Sequence, residues 1–400
     1  MLSNFIAICS EDAVAAVVKE LETYGAENVK AGYKAVSFDA DQETSYRLHL
    51  KLQTPSRLLQ VIRRGSGSSI PVLTNQARKV KWNEFFRSDT TYLVEGVAGD
   101  RGPGHPTATD ISKAIRMGLE DFFRHKELDV PRVDLKEPKI KVVAHVHGGE
   151  LTLSLDSTGK SMHKRGYRME NHPAPVKENM AAALLILAGY DGTQPFYDPM
   201  CGSGTIAIEA SFMSLNKAAL IHRRKGEFAF ENFATFDHHL WRRVQEETRG
   251  AKRDEPLARI FASDIESKYV DASRENALRA RVEKHITFYQ GSFFNLDAPS
   301  SSGLLLSNLP YGERIGQSDE THLIEFYKRV GDTLKQKYSG WKAALLVGAD
   351  TPYKFIGLRP KRKIPIDNGG IPCRLLIFDL YAGKKYSDSD TTDNAVTDEN

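Results

Sequence analysis

Cysteine is scarce in this chain of 400 residues, and no long apolar run interrupts it. The three cysteines, Cys9, Cys201 and Cys373, lie far apart and form no Cys-x-x-Cys pair, which predicts neither a disulfide framework nor a zinc site. The apolar runs are of strand length, and Glu11 and Asp12 interrupt the N-terminal one, so neither a membrane span nor a secretory signal is expected. We therefore expect a cytoplasmic protein that holds no metal and contacts no membrane.

The sequence also lacks a strong charge of one sign, because 55 Lys and Arg against 52 Asp and Glu give a net charge of +3. Residues 386–400 carry four Asp, one Glu and no basic residue, so the rest of the chain has a net charge of +8. Their polar composition without apolar periodicity predicts that residues 385–400 are a disordered acidic tail. A moderately basic body is compatible with an RNA partner but does not require one.

Short strands and helices alternate in the first part of the chain. Residues 1–65 are predicted to be a small α+β unit, with strands at 5–9, 35–38 and 57–62 and helices at 12–24 and 42–52. The Gly-Ser-Gly-Ser-Ser stretch at 65–69 predicts a flexible break. Residues 66–158 are predicted to be a second unit, with a strand at 92–97, a helix at 109–123 and strands at 140–146 and 151–155.

From residue 177 onward, helices and strands alternate with short connections, apart from an insertion that runs through residue 255. Helices are predicted at 177–188, 205–215, 268–281 and 321–337. Strands are predicted at 195–198, 259–264, 286–290, 304–308 and 343–348, followed by a hairpin that ends with 374–381. This alternation predicts an α/β fold with a mostly parallel, doubly wound sheet, whose ligands bind at the carboxyl ends of the strands.

A glycine turn follows the first strand of this sheet. Asp198 ends the strand, and Gly202 and Gly204 let the backbone turn tightly, so that its N–H groups can approach a phosphate or the methionine part of S-adenosylmethionine. The pattern also satisfies the dinucleotide fingerprint Gly-x-Gly-x-x-Ala. That fingerprint expects an acid about twenty residues further on. The acid that ends the next strand, Asp264, instead lies 57 residues after Ala207.

The two acids favour the sulfonium cofactor over a dinucleotide. A carboxylate at Asp198 repels a pyrophosphate but pairs with the methionine ammonium group, and Asp264 is placed to take the ribose hydroxyls. Two alternatives remain open at this point, a helix-capping role for Asp198 and a surface turn for Asp264.

The tetrapeptide Asn308-Leu309-Pro310-Tyr311 follows the apolar run at 303–307. An exocyclic amine on a heteroaromatic ring is a poor nucleophile, because its lone pair is delocalised into the ring. The Asn308 side-chain oxygen and the Leu309 carbonyl provide two acceptors that hold both N–H bonds while the lone pair turns toward a methyl donor. Pro310 stiffens the turn and the Tyr311 ring stacks on the base. The pattern predicts methyl transfer to an amino nitrogen, the alternative being an ordinary turn with Tyr311 half buried.

Seven segments together carry a family resemblance: HKRGYR at 163–168, APVKEN at 174–179, DPMCGSGT at 198–205, FAFE at 228–231, LW at 240–241, NLPYGER at 308–314 and NGGIPC at 368–373. With them the chain, over residues 1–383, resembles the THUMP-domain class I S-adenosylmethionine-dependent RNA methyltransferases. It is most similar to the bacterial group that methylates guanine N2 in 23S ribosomal RNA.

The resemblance implies a ferredoxin-like unit at 1–65, an RNA-binding THUMP domain at 66–158 and a Rossmann-like methyltransferase domain at 159–384. It implies that the base is taken by Asn308, Leu309, Pro310 and Tyr311. It implies that S-adenosylmethionine is held by Asp198, Pro199, Cys201, Gly202, Ser203, Gly204, Asp264, Ile265 and Ser292. The chain departs from the family at Leu309, where Pro is common, and at 291–293, where no acid is present for the adenine amine and either Ser292 or a backbone carbonyl is the substitute.

RNA contacts are predicted in two basic stretches, where cations can follow phosphates and interleaved rings can stack on bases. They are Lys160, His163, Lys164, Arg165, Tyr167 and Arg168 in the first, and Arg78, Lys79 and Lys81 in the second. The aromatic residues beside the second stretch, Trp82, Phe85 and Phe86, have a spacing that is also typical of core residues, and scattered cations are usually a solvated face.

Four functions are consistent with these patterns. The first is RNA guanine-N2 methylation, of ribosomal RNA in preference to tRNA, with extrusion of the base from its helix. The second is a methyltransferase that acts on DNA adenine or a protein glutamine. The third is a non-catalytic RNA-binding factor, which the departures at Leu309 and Ser292 keep open. The fourth is a nicotinamide oxidoreductase, which the position of Asp264 disfavours. The sequence does not indicate which nucleotide is modified or the oligomeric state.

Overall fold

A computed structural model describes residues 2–100, 102, 104–168, 176–310 and 320–381. Two β-sheets organise this part of the chain, one of eight strands and one of seven. The predicted tail at 385–400 lies outside the described residues, and so does Tyr311 of the tetrapeptide. None of the helices within these ranges is both long and apolar enough to cross a membrane.

The first sheet has the strand order β2-β3-β1-β4-β8-β7-β5-β6. Its strands are β1 (Ser3–Ile8), β2 (Glu27–Gly32), β3 (Ala35–Ala40), β4 (Arg57–Ser66), β5 (Thr91–Ala98), β6 (Arg132–Val133), β7 (Ile140–His147) and β8 (Glu150–Asp156). Its helices are α1 (Val14–Thr23), α2 (Gln42–Lys51), α3 (Ile70–Arg78) and α4 (Ala108–His125). Helix α4 begins at a capping box, in which Thr107 and Asp110 each accept the other's backbone N–H.

The prediction of a flexible break at 65–69 is wrong for its first two residues. Gly65 and Ser66 belong to β4 and pair with Leu151 and Glu150 of β8, so the two predicted N-terminal units share one continuous sheet. Glycine and serine indicated a break from local composition alone, whereas a partner strand some ninety residues away supplies the ladder. Strands β2 and β6 and helix α3 are further elements that the sequence pattern did not predict.

The second sheet has the order β11-β10-β9-β12-β13-β15-β14. Its strands are β9 (Phe196–Asp198), β10 (Ile260–Asp264), β11 (Ile286–Gln290), β12 (Gly303–Asn308), β13 (Trp341–Gly348), β14 (Arg362–Asp367) and β15 (Pro372–Asp379). Its helices are α5 (Glu178–Leu187), α6 (Thr205–Ser214), α7 (His238–Gly250), α8 (Ser267–Arg279) and α9 (Glu320–Lys337). The first five strands in this order are parallel to one another, and β15 runs antiparallel to both of its neighbours, β13 and β14. This confirms the predicted mostly parallel α/β sheet.

The strand order of this sheet reverses beside β9, which pairs with β10 on one side and with β12 on the other. At such a switch point the connections leave to opposite faces, and a crevice opens outside the carboxyl ends of the strands. Asp198 ends β9 and Asn308 ends β12, so the two sequence motifs lie at the same edge on adjacent strands.

An aromatic cluster joins the insertion between α6 and β10 to helix α2. The ring of Phe230 lies 4.8 Å from that of Tyr46, 4.7 Å from His49 and 5.1 Å from Trp241, measured between centroids. Tyr46, Phe230 and Trp241 are all buried. The cluster therefore packs the N-terminal unit firmly against the domain that carries the switch point.

Replacing Phe230 by alanine should lower the free energy of unfolding by about 3–5 kcal/mol, because the vacated volume lies among rings that cannot collapse into it. Chemical denaturation would measure the change. Phe355→Ala, at a ring that is 43% exposed, is the matched control and should stay within about 0.5 kcal/mol of the parent. Equal losses in the two variants would contradict a packing role for the cluster.

Candidate active site

A cleft of about 640 Å³ opens at the carboxyl ends of β9, β10, β11 and β12. Of the sequence-predicted cofactor residues, eight line it: Asp198, Pro199, Cys201, Gly202, Ser203, Asp264, Ile265 and Ser292. Asn308 and Pro310 line the same cleft. Segments that are separated by about a hundred residues in sequence therefore meet in one cavity, which is large enough for a drug-sized ligand.

The turn between β9 and α6 holds two glycines in the left-handed backbone region. Gly202 has a φ of 51° and Gly204 a φ of 79°. A Cβ on Gly202 would meet no atom within 4 Å, whereas one on Gly204 would lie 2.1 Å from Ser273 Oγ. Gly204 is also the N-cap of α6, and no side chain caps this helix. The helix-capping alternative for Asp198 is thereby excluded, and the N-terminal N–H groups of α6 remain available to a ligand.

Asp198 is 1% exposed and lies at the base of the cleft. Its Oδ1 accepts a hydrogen bond from Ser307 Oγ at 2.7 Å and another from the Met200 N–H at 3.3 Å. Burial, opposed by these hydrogen bonds and reinforced by the charge of Asp264, raises the pKa of Asp198 to about 7. Because Ser307 directly precedes Asn308, the first hydrogen bond ties the glycine turn to the tetrapeptide.

Asp264 connects β10 to the glycine turn. Its Oδ2 accepts from the Gly202 N–H at 3.0 Å, and its Oδ1 accepts from the Glu266 N–H at 3.2 Å. The residue is 9% exposed, and burial raises the pKa of its carboxyl group. It is therefore a structural part of the cleft wall rather than a surface turn residue, and each oxygen keeps a second lone pair for a ligand hydroxyl.

Asn308 carries an unsatisfied acceptor. Its Oδ1 is buried and accepts no hydrogen bond from any residue that the structure describes. Leu309 is 1% exposed, with its side chain in the core and its N–H donating to the Leu346 carbonyl at 3.0 Å, so a ligand can contact it only through the backbone. A buried amide oxygen without a donor is costly, and one that lines a cleft is explained by a ligand that supplies the donor.

Aromatic side chains that the sequence pattern did not single out form one wall of the cleft. The rings of Phe294 and Phe326 lie 5.8 Å apart at 78°, and the Arg329 guanidinium lies 4.1 Å from the Phe294 centroid. Ser292 Oγ accepts from the Phe294 N–H at 3.3 Å, which fixes the segment after β11. Phe294 was within reach of sequence reasoning, because it follows Ser292 by two residues. Phe326 was not, because nothing local distinguishes it from a core aromatic of α9.

The stretch Lys160 to Arg168 connects the first sheet to α5, and two of its predicted RNA contacts are wrong. Tyr167 is 2% exposed and donates to Glu209 Oε1 at 3.1 Å. The Arg165 and Glu209 side chains are both fully buried, and their ion pair spans 3.4 Å. The basic composition of this stretch indicated a solvated surface, but a carboxylate on α6 draws these two side chains inward.

The other predicted RNA residues remain at the surface to different degrees. Lys160 pairs with Glu227 at 2.7 Å, and Lys164 is exposed. His163 is half-buried, and desolvation together with nearby cations lowers its pKa to about 4. Arg168 donates to Thr205 Oγ1 at 3.0 Å, beside the glycine turn.

The second basic stretch follows the end of α3. Arg78 pairs with Asp121 at 2.5 Å, while Lys79 and Lys81 are exposed. Trp82 is 0% exposed and donates to the Ala77 carbonyl at 2.8 Å, so it belongs to the core. An aromatic stacking role is therefore excluded for Trp82, while the three cations keep their place as candidate phosphate contacts.

The three cysteines are buried, and Cys201 lines the cleft, where burial raises the pKa of its thiol. Within the described ranges, no cluster of three or more His, Cys, Asp or Glu side chains is arranged to hold a metal ion. The donors that converge on the cleft are carboxylate, amide and backbone groups, which suit an organic cation and an amine.

The fold and the cleft define a class I S-adenosylmethionine-dependent methyltransferase. Three family descriptions match the chain in order: the RlmL ferredoxin-like domain at 4–59, the THUMP domain at 67–156, and the RMKL-like methyltransferase domain at 165–377. The last match covers more than half of the chain, and the chain belongs to the RMKL-like methyltransferase family. The family resemblance and the predicted cofactor are thus confirmed.

Individual relatives agree with this assignment. The chain is 36% identical to slr0064 of Synechocystis sp., whose name describes a candidate RNA methyltransferase, over 92% of this chain and 94% of that protein. It is 32% identical to ribosomal RNA large subunit methyltransferase K/L of Shewanella baltica, over 98% of this chain and 55% of that protein. The chain thus spans about half the length of the K/L relatives.

One solved structure extends the similarity to three dimensions. SMU.472, described as a candidate methyltransferase complexed with SAH, has 25% sequence identity and a TM-score of 0.84 over 96% of this chain and 99% of that chain. The likeness includes both sheets, since it runs over nearly the whole length.

Proposed function

We propose that this protein transfers the methyl group of S-adenosylmethionine to the exocyclic N2 of a guanine in RNA, with 23S ribosomal RNA as the substrate. The observation that carries the proposal is the buried, unpartnered Oδ1 of Asn308 in the same cleft as Asp198. A fixed, buried acceptor that has no other donor among the described residues is what a weakly nucleophilic amine requires.

The chain's own residues define two halves of the cleft. Asp198 is placed to pair with an ammonium group, and the spare lone pairs of Asp264 with hydroxyl groups. S-adenosylmethionine, when bound, supplies an electrophilic methyl group. Asn308 Oδ1 and the Leu309 carbonyl would accept hydrogen bonds from the two N–H groups of the base amine, which would free its lone pair to attack that methyl group. Phe294 and Phe326 offer apolar surface to a flat ring.

The choice of RNA rests on different support from the choice of an amine. The THUMP match and the K/L and slr0064 names support RNA, and the K/L name supports the large ribosomal subunit. Asn308 supports a primary amine of any base. Guanine in particular rests on the resemblance of the seven sequence segments. This chain matches 55% of the K/L protein, and only that part of K/L supports the proposal.

Incubation with tritiated cofactor, separately with unmodified 23S rRNA and tRNA transcripts, tests the proposal. Digestion to nucleosides and mass spectrometry should identify N2-methylguanosine in the 23S sample. Label in N6-methyladenosine would overturn the choice of base, and label in the tRNA sample alone would overturn the choice of RNA. Modification of DNA or of added protein, with none of RNA, would overturn both.

Cofactor binding should depend on pH through Asp198. Its pKa of about 7 in the folded protein means that the carboxyl group takes up a proton as the pH falls below neutrality, and a neutral acid cannot pair with an ammonium group. Affinity for S-adenosylmethionine should therefore fall about 10-fold between pH 8 and pH 6. Without cofactor the sign for stability is opposite: a raised folded pKa means that stability decreases as the pH rises from about 4 toward 7.

Isothermal titration at pH 6, 7 and 8 would measure this dependence. Asp198→Asn is the control, which should bind weakly at every pH because it has no charge to lose. A slope that persists in Asp198→Asn would assign the titration to another group.

A further inference from the structure

The turn between β14 and β15 lies beyond the carboxyl ends of β12 and β13, on the side of the sheet where the cleft opens. In the sheet register Asn308 lies opposite Leu346 of β13, and Leu346 lies opposite Leu375 of β15. Ile371 precedes Leu375 by four residues, so along the strand direction it lies about 13 Å beyond Asn308, on the carboxyl side. Across the sheet it lies two strand spacings, about 10 Å, from Asn308. This position is close to the nucleotides that flank a base held at Asn308.

The turn is hydrogen-bonded at both ends and exposed. Gly369 and Gly370 have φ values of 69° and 92°, as a two-residue type I′ hairpin requires, and the Asn368 N–H donates to the Ile371 carbonyl at 3.0 Å. The Asp367 N–H donates to Asp12 Oδ2 at 2.7 Å, which fixes the hairpin to the N-terminal unit. Ile371 is nevertheless 51% exposed. A β-branched apolar side chain held at this tip has no evident packing role there.

The β2–β3 turn provides a second exposed side chain, an aromatic ring, beside this tip. Tyr33 is 74% exposed, with the Lys34 ammonium 5.1 Å from its ring centroid. Lys34 and Asp367 interact electrostatically, and the Lys34 carbonyl accepts from the Cys9 N–H at the end of β1, three residues before Asp12. The two turns are therefore neighbours.

The charges around these turns indicate which part of a nucleotide they would contact. Glu11, Asp12 and Asp367 outnumber Lys34 among these charged groups, so the strip is not a cationic surface for phosphates. An aromatic ring and an aliphatic side chain without excess positive charge instead suit a base, through stacking and through wedging between base steps.

We propose that Tyr33 and Ile371 form a base-binding strip that holds the nucleotide next to the methylated one and keeps the target base out of its helix. The inference rests on the proposed function for its substrate, RNA. It assigns a role to the NGGIPC segment and to the β2–β3 turn, neither of which lines the cleft. Ile371 fills the gap that the extruded base leaves in the RNA helix, and Tyr33 stacks on the base next to that gap.

Steady-state methylation of a folded 23S rRNA transcript tests the strip. Ile371→Ala and Tyr33→Ala should each lower kcat/KM about 10-fold, and Ile371→Leu should restore most of the rate, because extrusion of the base is stabilised by the wedge. Leu135→Ala is the matched control, since Leu135 is 75% exposed and lies in the connection between β6 and β7, at the opposite edge of the first sheet from the β2–β3 turn. Titration of S-adenosylmethionine should give unchanged affinity in all four variants, which shows that the cleft is intact.

Photo-cross-linking distinguishes failure of the strip from failure of the proposed function. A 23S transcript that contains 4-thiouridine should cross-link to the peptide that carries Tyr33, whatever atom the enzyme methylates. Cross-links confined to other peptides, or rates in Ile371→Ala and Tyr33→Ala no lower than in Leu135→Ala, would overturn the inference. Methylation at an atom other than guanine N2, with the cross-link present, would overturn the proposed function alone.

Discussion

Asn308→Ala should lower kcat for methyl transfer by about 100- to 1,000-fold while leaving S-adenosylmethionine affinity within about twofold, as loss of one positioned acceptor in a desolvated site does. Stability should not fall with activity. The substitution removes a buried oxygen that has no donor among the described residues, so the free energy of unfolding should stay equal or rise by about 1 kcal/mol.

A loss of activity without a loss of stability would indicate that Asn308 has a catalytic role and not a structural one. Single-turnover assays with tritiated cofactor would give the rate, and chemical denaturation would give the stability. Asn83→Ala, at an exposed amide near the end of α3, controls for loss of an asparagine as such. Full activity in Asn308→Ala would remove the amine-holding role, and a large loss of stability would show that the amide is needed for folding instead.

Gly204→Ala should lower the free energy of unfolding by about 2–4 kcal/mol and abolish measurable cofactor binding. A Cβ at φ 79° is strained, and it would lie 2.1 Å from Ser273 Oγ and 3.0 Å from Ser273 Cβ, so the Ser273 side chain must rotate and α8 must give way slightly. Thermal or chemical denaturation would measure the stability and isothermal titration the binding.

Two further variants show which part of the loss comes from the contact. Gly202→Ala has similar backbone strain but open space around its Cβ, so it should lose only about 1–2 kcal/mol of stability. Adding Ser273→Ala to Gly204→Ala removes the nearest atom and should restore part of the stability. A Gly204→Ala protein as stable as Gly202→Ala would mean that the contact with Ser273 is relieved at little cost.

Local patterns in the sequence predicted most of the second sheet and its cleft. Glycine spacing after β9 and an Asn-x-Pro-Tyr turn after β12 are short-range signals, and parallel strands bring them to one edge by geometry alone. The side chains of Arg165 and Tyr167 illustrate what local patterns miss. Their partner, Glu209, lies more than forty residues away on α6, so a basic stretch that resembles an RNA surface is partly an internal ion pair.

The same limit applies to the first sheet. The Gly-Ser composition at 65–69 gave no sign that β4 continues into a ladder with β8, because strand pairing depends on a distant partner. Phe326 shows the limit in the site itself, where an aromatic residue of α9 faces the cleft although its spacing matches that of core residues.

The ladder that joins β4 to β8, together with the Phe230 cluster, has a consequence for target choice. Both features fix the separation between the THUMP strands and Asn308, so under the proposed function the enzyme acts as a molecular ruler. The nucleotide that it modifies would be set by length along the folded RNA. If the THUMP domain binds a stem of the RNA, one base pair added between that stem and the target would bring a different nucleotide to the cleft.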